Sequence, residues 1–272
     1  MKKIIIIWIV LTAISTANIL DEKVRNLMQE SNYQSHKKLT KILFRNKEQF
    51  YKNEKLNLPK IINTLKENGL LKLNHSIPKK MELGFKVSKN PIKTIKIVED
   101  IFKSMGYYYI FTKKASLTKD GIFVWTINIQ TKNMPDPSEL IKRLYNQNIK
   151  VVDISRYGKN SMSYELETSY SRITAMQVVP SNKIVNLKKP FKEYFLSISP
   201  DSYEINIKSN NQDRWYPYIV YFDINLQVLK VIRKKTKIKK LATTIPTATR
   251  YIKIGDNFNL KNIKTGLTVM IK

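Results

Sequence analysis

Between Asn90-Pro91 and Glu167 the spacing of apolar residues switches from helical steps to strand alternation, back to helical steps, and again to alternation. Ile95, Val98, Phe102 and Met105 share one helical face, and Gly106 ends that helix, because glycine readily takes the left-handed residue past a helix C-terminus. YYYIFTKKA (107–115) and IFVWTINIQ (122–130) then read as two strands joined through TKDG, whose Asp120-Gly121 accepts positive φ. Asp136 caps a second helix, with Pro137 at its first position and Glu139 at the reciprocal place of a capping box. Leu140, Ile141, Leu144 and Tyr145 line the buried side of that helix, and IKVVDIS and SMSYELE follow as strands. The order α-β-β-α-β-β buries both helices against one face of a single sheet.

That order makes two split β-α-β halves, so residues 91–175 are predicted to be a ferredoxin-like α+β domain. Residues 18–90 read as a helical domain. Val24, Leu27, Met28, Leu39, Ile42 and Leu43 recur at three- and four-residue spacing, with Asp21 placed to cap the first helix. A second helix begins near Pro59, buries Ile61, Ile62 and Leu65, and stops at Asn68-Gly69. Residues 176–272 read as an all-β sandwich or barrel with a basic C-terminal region. EYFLSIS, SYEINIKS, PYIVYFDI, LQVLKVIRK, TRYIKIG, FNLKNI and LTVMIK are short strand-like runs separated by turn residues. The fold class is therefore α+β.

The N-terminus sets the expected compartment. Lys2 and Lys3 precede an apolar run from Ile4 to Ile14, and Ser15 and Ala17 fit a secretory cleavage site, so residues 1–17 are predicted to be a signal peptide. The run is shorter than the roughly 20 residues of a membrane-crossing helix. After cleavage the expected mature protein is periplasmic or secreted, membrane-proximal but not membrane-spanning; the alternative is an uncleaved membrane anchor stretching to Leu20. The chain has no cysteine, which removes disulfides, thiol nucleophiles and cysteine metal sites together. Stability must then come from packed cores.

Charge is uneven along the chain. The formal net charge is +28, and residues 230–272 hold twelve basic residues against one acid, Asp256. Seven of these fall within KVIRKKTKIKK, residues 230–240. Read as one strand, Val231, Arg233, Lys235, Lys237 and Lys239 share a face at roughly 7 Å intervals, with Ile232, Lys234, Thr236, Ile238 and Lys240 on the other. Neither face can be buried past Lys234, because an unpaired buried ammonium is costly. The stretch is expected on the surface, as a protruding hairpin end or an edge strand. One or two lysines protect an edge from aggregation. Seven exceed that need, so Arg233, Lys234, Lys235, Lys237, Lys239 and Lys240 are candidates for binding an anion or an acidic partner. Trp215, Tyr216 and Tyr218 are a candidate aromatic surface for sugars or bases, although aromatics entering a strand more often pack a core.

Catalytic signals are few. His36 and His75, the two histidines, have no H-x-x-x-H partner, and His75 is expected in a loop. Glu165 and Glu167 share a strand face about 7 Å apart, but glycosidases place their two carboxylates on different elements around a cleft. No nucleophile elbow, phosphate loop or dinucleotide fingerprint occurs, and seven glycines leave little scope for one. The reading is a non-enzyme without catalytic, cofactor-binding or metal residues.

The α-β-β-α-β-β order behind an exported N-terminus resembles the small periplasmic domains of type IV pilus and type II secretion alignment proteins. LKENGLLKL, a helix ending MGYYY, the strand with Trp125 and the helix start DPSEL resemble uncharacterised exported proteins of flagellated, AT-rich bacteria. These likenesses cover residues 60–168. They imply a scaffold subunit of an envelope machine, a flagellar motor or a secretion or pilus apparatus, with other envelope proteins or an acidic surface or polymer as partners. The alternatives are an exported polyanion-binding module (for DNA, lipopolysaccharide or wall polymer), with nucleic acid the lesser expectation, and a secreted adhesin.

Overall fold

The computed structural model describes residues 19–173 and 176–272. The expected signal peptide and its cleavage site near Ala17 lie outside the described residues. The protein is of the α+β class, with six helices and sixteen strands in several sheets among the described residues. It divides into two compact units, one ending at Arg172 and the other beginning at Ile173.

In the first unit α1 (residues 19–28), α2 (Glu30–Ser35) and α3 (Lys37–Leu43) precede a small hairpin, β1 (Tyr51–Lys52) and β2 (Lys55–Leu56). Then come α4 (Leu58–Glu67), β3 (Asn74–Val87), α5 (Pro91–Ser104), β4 (Phe111–Leu117), β5 (Phe123–Asn133), α6 (Pro137–Tyr145), β6 (Lys150–Gly158) and β7 (Ser161–Glu167). All six elements expected between 91 and 168 are present. The strand in front of them, β3, corrects the helical reading of 18–90 and its standing as a separate domain. β3 lies at the centre of a five-stranded sheet of order β4-β5-β3-β7-β6. β5 runs antiparallel to it with β4 outside, as in a split β-α-β half; β7 runs parallel on the other side, and β6 is the far edge. His75 lies in β3, not in a loop, within the irregular stretch between Asn74 and Lys79 that also accommodates Pro78.

One face of the sheet is packed. Met81, Leu83, Phe85 and Val87 of β3 are buried, as are Trp125, Ile127 and Ile129 of β5 and Met162, Tyr164 and Leu166 of β7. On α5 the buried stripe is Thr94, Ile97, Val98, Ile101 and Phe102, one step round from the expected Ile95 and Met105. The edge strand β6 is covered by α1. Asn26 donates from its amide nitrogen to the Arg156 carbonyl (3.3 Å) and accepts from the Arg156 N–H (2.8 Å), while Lys23 donates to the Ile154 carbonyl (2.9 Å). A side-chain amide thereby stands in for the missing strand and blocks edge-to-edge association. Asp21 does not cap α1; it lies inside the helix and pairs with Lys47 at 3.1 Å.

Asp136 caps α6 as expected, accepting from the Ser138 N–H at 2.9 Å and from the Ser138 hydroxyl at 2.7 Å. Glu139 does not complete a capping box, because Arg143 one turn later binds it at 2.6 Å. Lys66 of α4 also pairs with Asp136, tying the two helices together. Partial burial acts to raise the Asp136 carboxyl, but Lys66 and both Ser138 groups outweigh it and hold the carboxyl below its ordinary range. The folded pKa is depressed, so this stabilisation is complete above the unfolded value of about 3.9 and is lost as pH falls below it. Asp136→Ala is expected to lower stability at pH 7 by about 1–2 kcal/mol, counting the cap and the ion pair. Urea titrations at pH 7 and pH 3 should show the difference from wild type shrinking at the lower pH.

The second unit is a sandwich of two sheets. The strands are β8 (Gln177–Val178), β9 (Ile184–Leu187), β10 (Tyr194–Ser197), β11 (Glu204–Ser209), β12 (Pro217–Phe222), β13 (Val228–Arg233), β14 (Lys240–Thr244), β15 (Tyr251–Asp256) and β16 (Leu267–Ile271). One sheet has the order β13-β12-β15-β10-β8 and the other β14-β11-β16-β9, and they do not close into a barrel. Leu196, Ile205, Ile207, Trp215, Ile219, Ile254, Val269 and Ile271 belong to the core of the unit. β8, β9 and β14 are additional to the predicted strands, and FNLKNI forms a 3-10 turn over Leu260–Ile263 instead of a strand.

Candidate functional site

The basic stretch is not one strand. β13 ends at Arg233 on the edge of one sheet, and β14 begins at Lys240 on the edge of the other. Residues 234–239 are the crossover between them. Its backbone is tethered at both ends: Lys234 N–H donates to the Pro217 carbonyl (2.9 Å), Ile238 N–H to the Trp215 carbonyl (2.9 Å), and the Lys239 carbonyl accepts from Ser209 N–H (3.0 Å). The expected continuous face from Val231 to Lys239 therefore breaks at Arg233. The physical reason is that Ile232 packs against the sandwich core, and past it the chain must change sheets to continue the fold.

Arg233, Lys234, Lys235, Lys237 and Lys240 are exposed, and none of them pairs with a carboxylate among the described residues. Most acids of the unit are committed elsewhere. Glu193 pairs with Lys253 and Glu204 with Lys272, each at 3.2 Å. Asp223 accepts from two turn amides, Asn225 and Gln227. Asp256, the sole acid in the C-terminal stretch, is buried. It accepts from the N–H groups of Tyr216, Phe258 and Asn259 and from the Asn262 amide at 2.8–2.9 Å. Its negative charge organises a loop and leaves the crossover uncompensated.

Lys239 departs from the expected set. It is half-buried, and its ammonium donates to the carbonyls of Asn210 (3.0 Å), Asn211 and Asp213 (3.1 Å). It is a tethered cation ordering the 210–213 loop and is not available to a partner. Arg233 is held over the ring of Tyr218, 4.9 Å from its centroid, and Lys253 stands at the same distance from that ring.

The aromatic surface is corrected by the same geometry. Trp215 is fully buried, and its indole N–H donates to the Gly255 carbonyl at 2.9 Å. Tyr216 is half-buried and packs edge-on against Phe258, with ring centroids 5.0 Å apart. Tyr218 is half-buried and already engaged by two cations, so it positions Arg233 in place of stacking on a ligand. The three do not form one stacking platform.

The remaining polar candidates do not converge. His36 is exposed at the junction of α2 and α3, with Nδ1 3.0 Å from the Asn32 carbonyl oxygen. Glu165 and Glu167 are exposed on the solvent side of β7, and Glu167 bends onto the Ser169 N–H at 2.8 Å. A cavity of about 750 Å³ between α1, the β1–β2 hairpin and β6 carries both charge signs, and within it Lys23 bridges Asp153 at 2.5 Å. Sequence reasoning missed Lys208, which β11 places directly opposite Lys240. Its alternation with buried Ile205 and Ile207 marks it as outward-facing, but only the β11–β14 register brings it to the basic stretch. No family model matches this sequence, and no curated protein is significantly similar to it.

Proposed function

We propose that this chain is a non-enzymatic periplasmic scaffold protein of a bacterial envelope machine, a flagellar motor or a secretion or pilus apparatus, that docks an acidic surface through its cationic crossover. The observation that carries the reading is the exposed set Arg233, Lys234, Lys235, Lys237 and Lys240 on a backbone tethered at both ends, without counter-charge among the described residues. Clustered cations repel one another and exposed ion pairs contribute only about 0–1 kcal/mol each, so folding gains little from this arrangement. Binding an acidic partner gains from it in encounter rate and specificity. The tethers hold the backbone that carries these side chains, which reduces the backbone ordering entropy lost on association. No helix among the described residues is long and apolar enough to cross a membrane.

The test is substitution of Lys234, Lys235 and Lys237 by Gln. Stability should stay within about 0.5 kcal/mol of wild type, as at surface positions generally. Capture of envelope partners by crosslinking should weaken, and its dependence on salt should flatten. Lys239→Gln should behave oppositely, lowering stability by about 1–2 kcal/mol through loss of charged-donor hydrogen bonds. A triple variant that captures the same partners with the same salt dependence would exclude the crossover as the docking surface. Turnover of a wall or peptide substrate by the purified protein, lost on replacing Glu165 or His75, would exclude the non-enzymatic reading.

A further inference from the structure

We infer that the end of the sandwich beside the crossover holds a phosphate-ester site built on Lys208, with Lys240, opposite it on β14 and outside the cavity lining, as a flanking cation; this deepens the docking reading above by naming the acidic group recognised. Register places Lys208 of β11 directly opposite Lys240 of β14, and both are exposed on the solvent face of the sheet. Like charges directly opposite on adjacent strands are destabilising unless an anion lies between them. In the same row Lys208 is flanked by Thr268 of β16, and Thr268 by Asn186 of β9, so four strands contribute to one line of polar groups.

A cavity of about 380 Å³ opens at this row, lined by Lys208, Asn210, Asn211, Asn186 and Thr268 and by no carboxylate. Its hydrogen-bonding groups are unbalanced. The Asn186 side-chain oxygen accepts from the Thr268 hydroxyl at 2.9 Å, and the Asn210 side-chain oxygen accepts from the Gln212 N–H. The backbone carbonyls of Asn210 and Asn211 accept from Lys239. The Thr265 hydroxyl donates to the buried Asp213 carboxylate at 2.5 Å. These acceptors are consumed inside the protein, while the Lys208 ammonium and the amide NH2 groups of Asn186 and Asn210, all on residues lining the cavity, make no hydrogen bond among the described residues and remain as donors. A donor surplus around a cation suits a ligand made of acceptors, and an oxyanion bearing several oxygens is the chemical class that fits. The volume exceeds that of a bare phosphate and has room for the ester substituent.

The walls are held in place. Lys239 fixes the 210–213 loop through the carbonyls of Asn210, Asn211 and Asp213. Gly266, at φ +97, presses so close to Leu187 that a Cβ there would lie 2.0 Å from the Leu187 carbonyl oxygen. Only glycine allows that approach.

The experiment is an amide NMR titration of the full chain with sn-glycerol 3-phosphate, at ionic strength held constant with sodium chloride. Saturable shifts are expected at Lys208, Asn210, Asn211, Gly266 and Thr268, with Kd near the millimolar range typical of a single charged group, roughly 1 mM. The Lys208→Gln/Lys240→Gln double variant should weaken binding at least about 10-fold, the value of one charge-assisted contact. Asn210→Asp keeps the oxygen that receives the Gln212 N–H but replaces donors with negative charge, and it should abolish the shifts while the spectrum stays folded. Non-saturating shifts spread over all lysines, or shifts unchanged in both variants, would overturn the site. Cosedimentation with phosphatidylglycerol vesicles, lost in the double variant, would assign the phosphoryl group to a lipid. Binding of the free ester without cosedimentation would assign it to a soluble molecule. If the phosphate ester fails to bind while the Lys234/Lys235/Lys237 variant still loses its partners, the site falls and the docking reading stands. If the ester binds and that variant keeps its partners, the docking reading falls and the site stands.

Discussion

Trp215→Ala is expected to destabilise the C-terminal unit by about 3–5 kcal/mol, the usual range for truncating a buried large aromatic. Trp215 has no exposed surface and belongs to the sandwich core with Ile219, Ile252 and Ile254. Its indole N–H satisfies the Gly255 carbonyl, so truncation removes a hydrogen bond and leaves an unfilled volume between the sheets. Against a typical domain stability of about 5–15 kcal/mol, that is a large fraction of the total. The loss should appear as faster amide hydrogen exchange throughout β11, β12, β15 and β16. A variant of unchanged stability that lost ligand binding would restore Trp215 to a surface role. Tyr216→Ala should be mild by comparison, because the Tyr216 ring packs on Phe258, which is itself exposed.

The contrast between Trp215 and its neighbours marks what the sequence can carry. WYPY reads equally well as a stacking surface or as the entry to a core strand, because a residue's burial depends on which way the strand faces. That facing is set by the register Ile219↔Ile254, a contact across 35 residues. The basic stretch failed in a related way. Alternation predicts a strand through Lys239, and Val231 and Ile232 do form one, but the change of sheet at Lys234 follows from the edge positions of β13 and β14. Exposure of Arg233, Lys234, Lys235, Lys237 and Lys240 was legible, because clustered ammonium groups cannot be buried without partners. The anchoring of Lys239 was not, because its three carbonyl partners lie 26–29 residues away. Local signals served better where chemistry is local: the Asp136 cap, the Asp120-Gly121 turn and the Gly69 and Gly106 stops each involve neighbours within about one turn of helix or hairpin. The central strand β3 was missed although Met81, Leu83, Phe85 and Val87 alternate cleanly. Pro78 and Gly84 punctuate that run, and its pairing partners β5 and β7 lie far along the chain.

Phe85→Ala tests that missed strand and is expected to be the most damaging single truncation in the N-terminal unit, at about 3–5 kcal/mol. Phe85 is completely buried on β3 and touches three other aromatics. It stacks on Tyr164 of β7 with centroids 5.5 Å apart and planes 16° apart, lies 5.5 Å from Trp125 of β5, and meets Phe102 of α5 edge-on at 6.2 Å. Such pairs contribute about 0.5–1.5 kcal/mol each beyond the area they bury. The substitution therefore removes the ring that joins both flanking strands to the helix layer. If residues 18–90 were a helical domain of their own, exchange protection in α1 and α4 would survive the change. In a single unit, Asn26 of α1 holds the edge of the same sheet and Lys66 of α4 holds the cap of α6, so those helices should lose protection together with β3, β5 and β7. Protection that persisted in α1 and α4 while the sheet opened would reinstate the boundary near residue 90 and make the α1–β6 contact a docking of two independently stable parts.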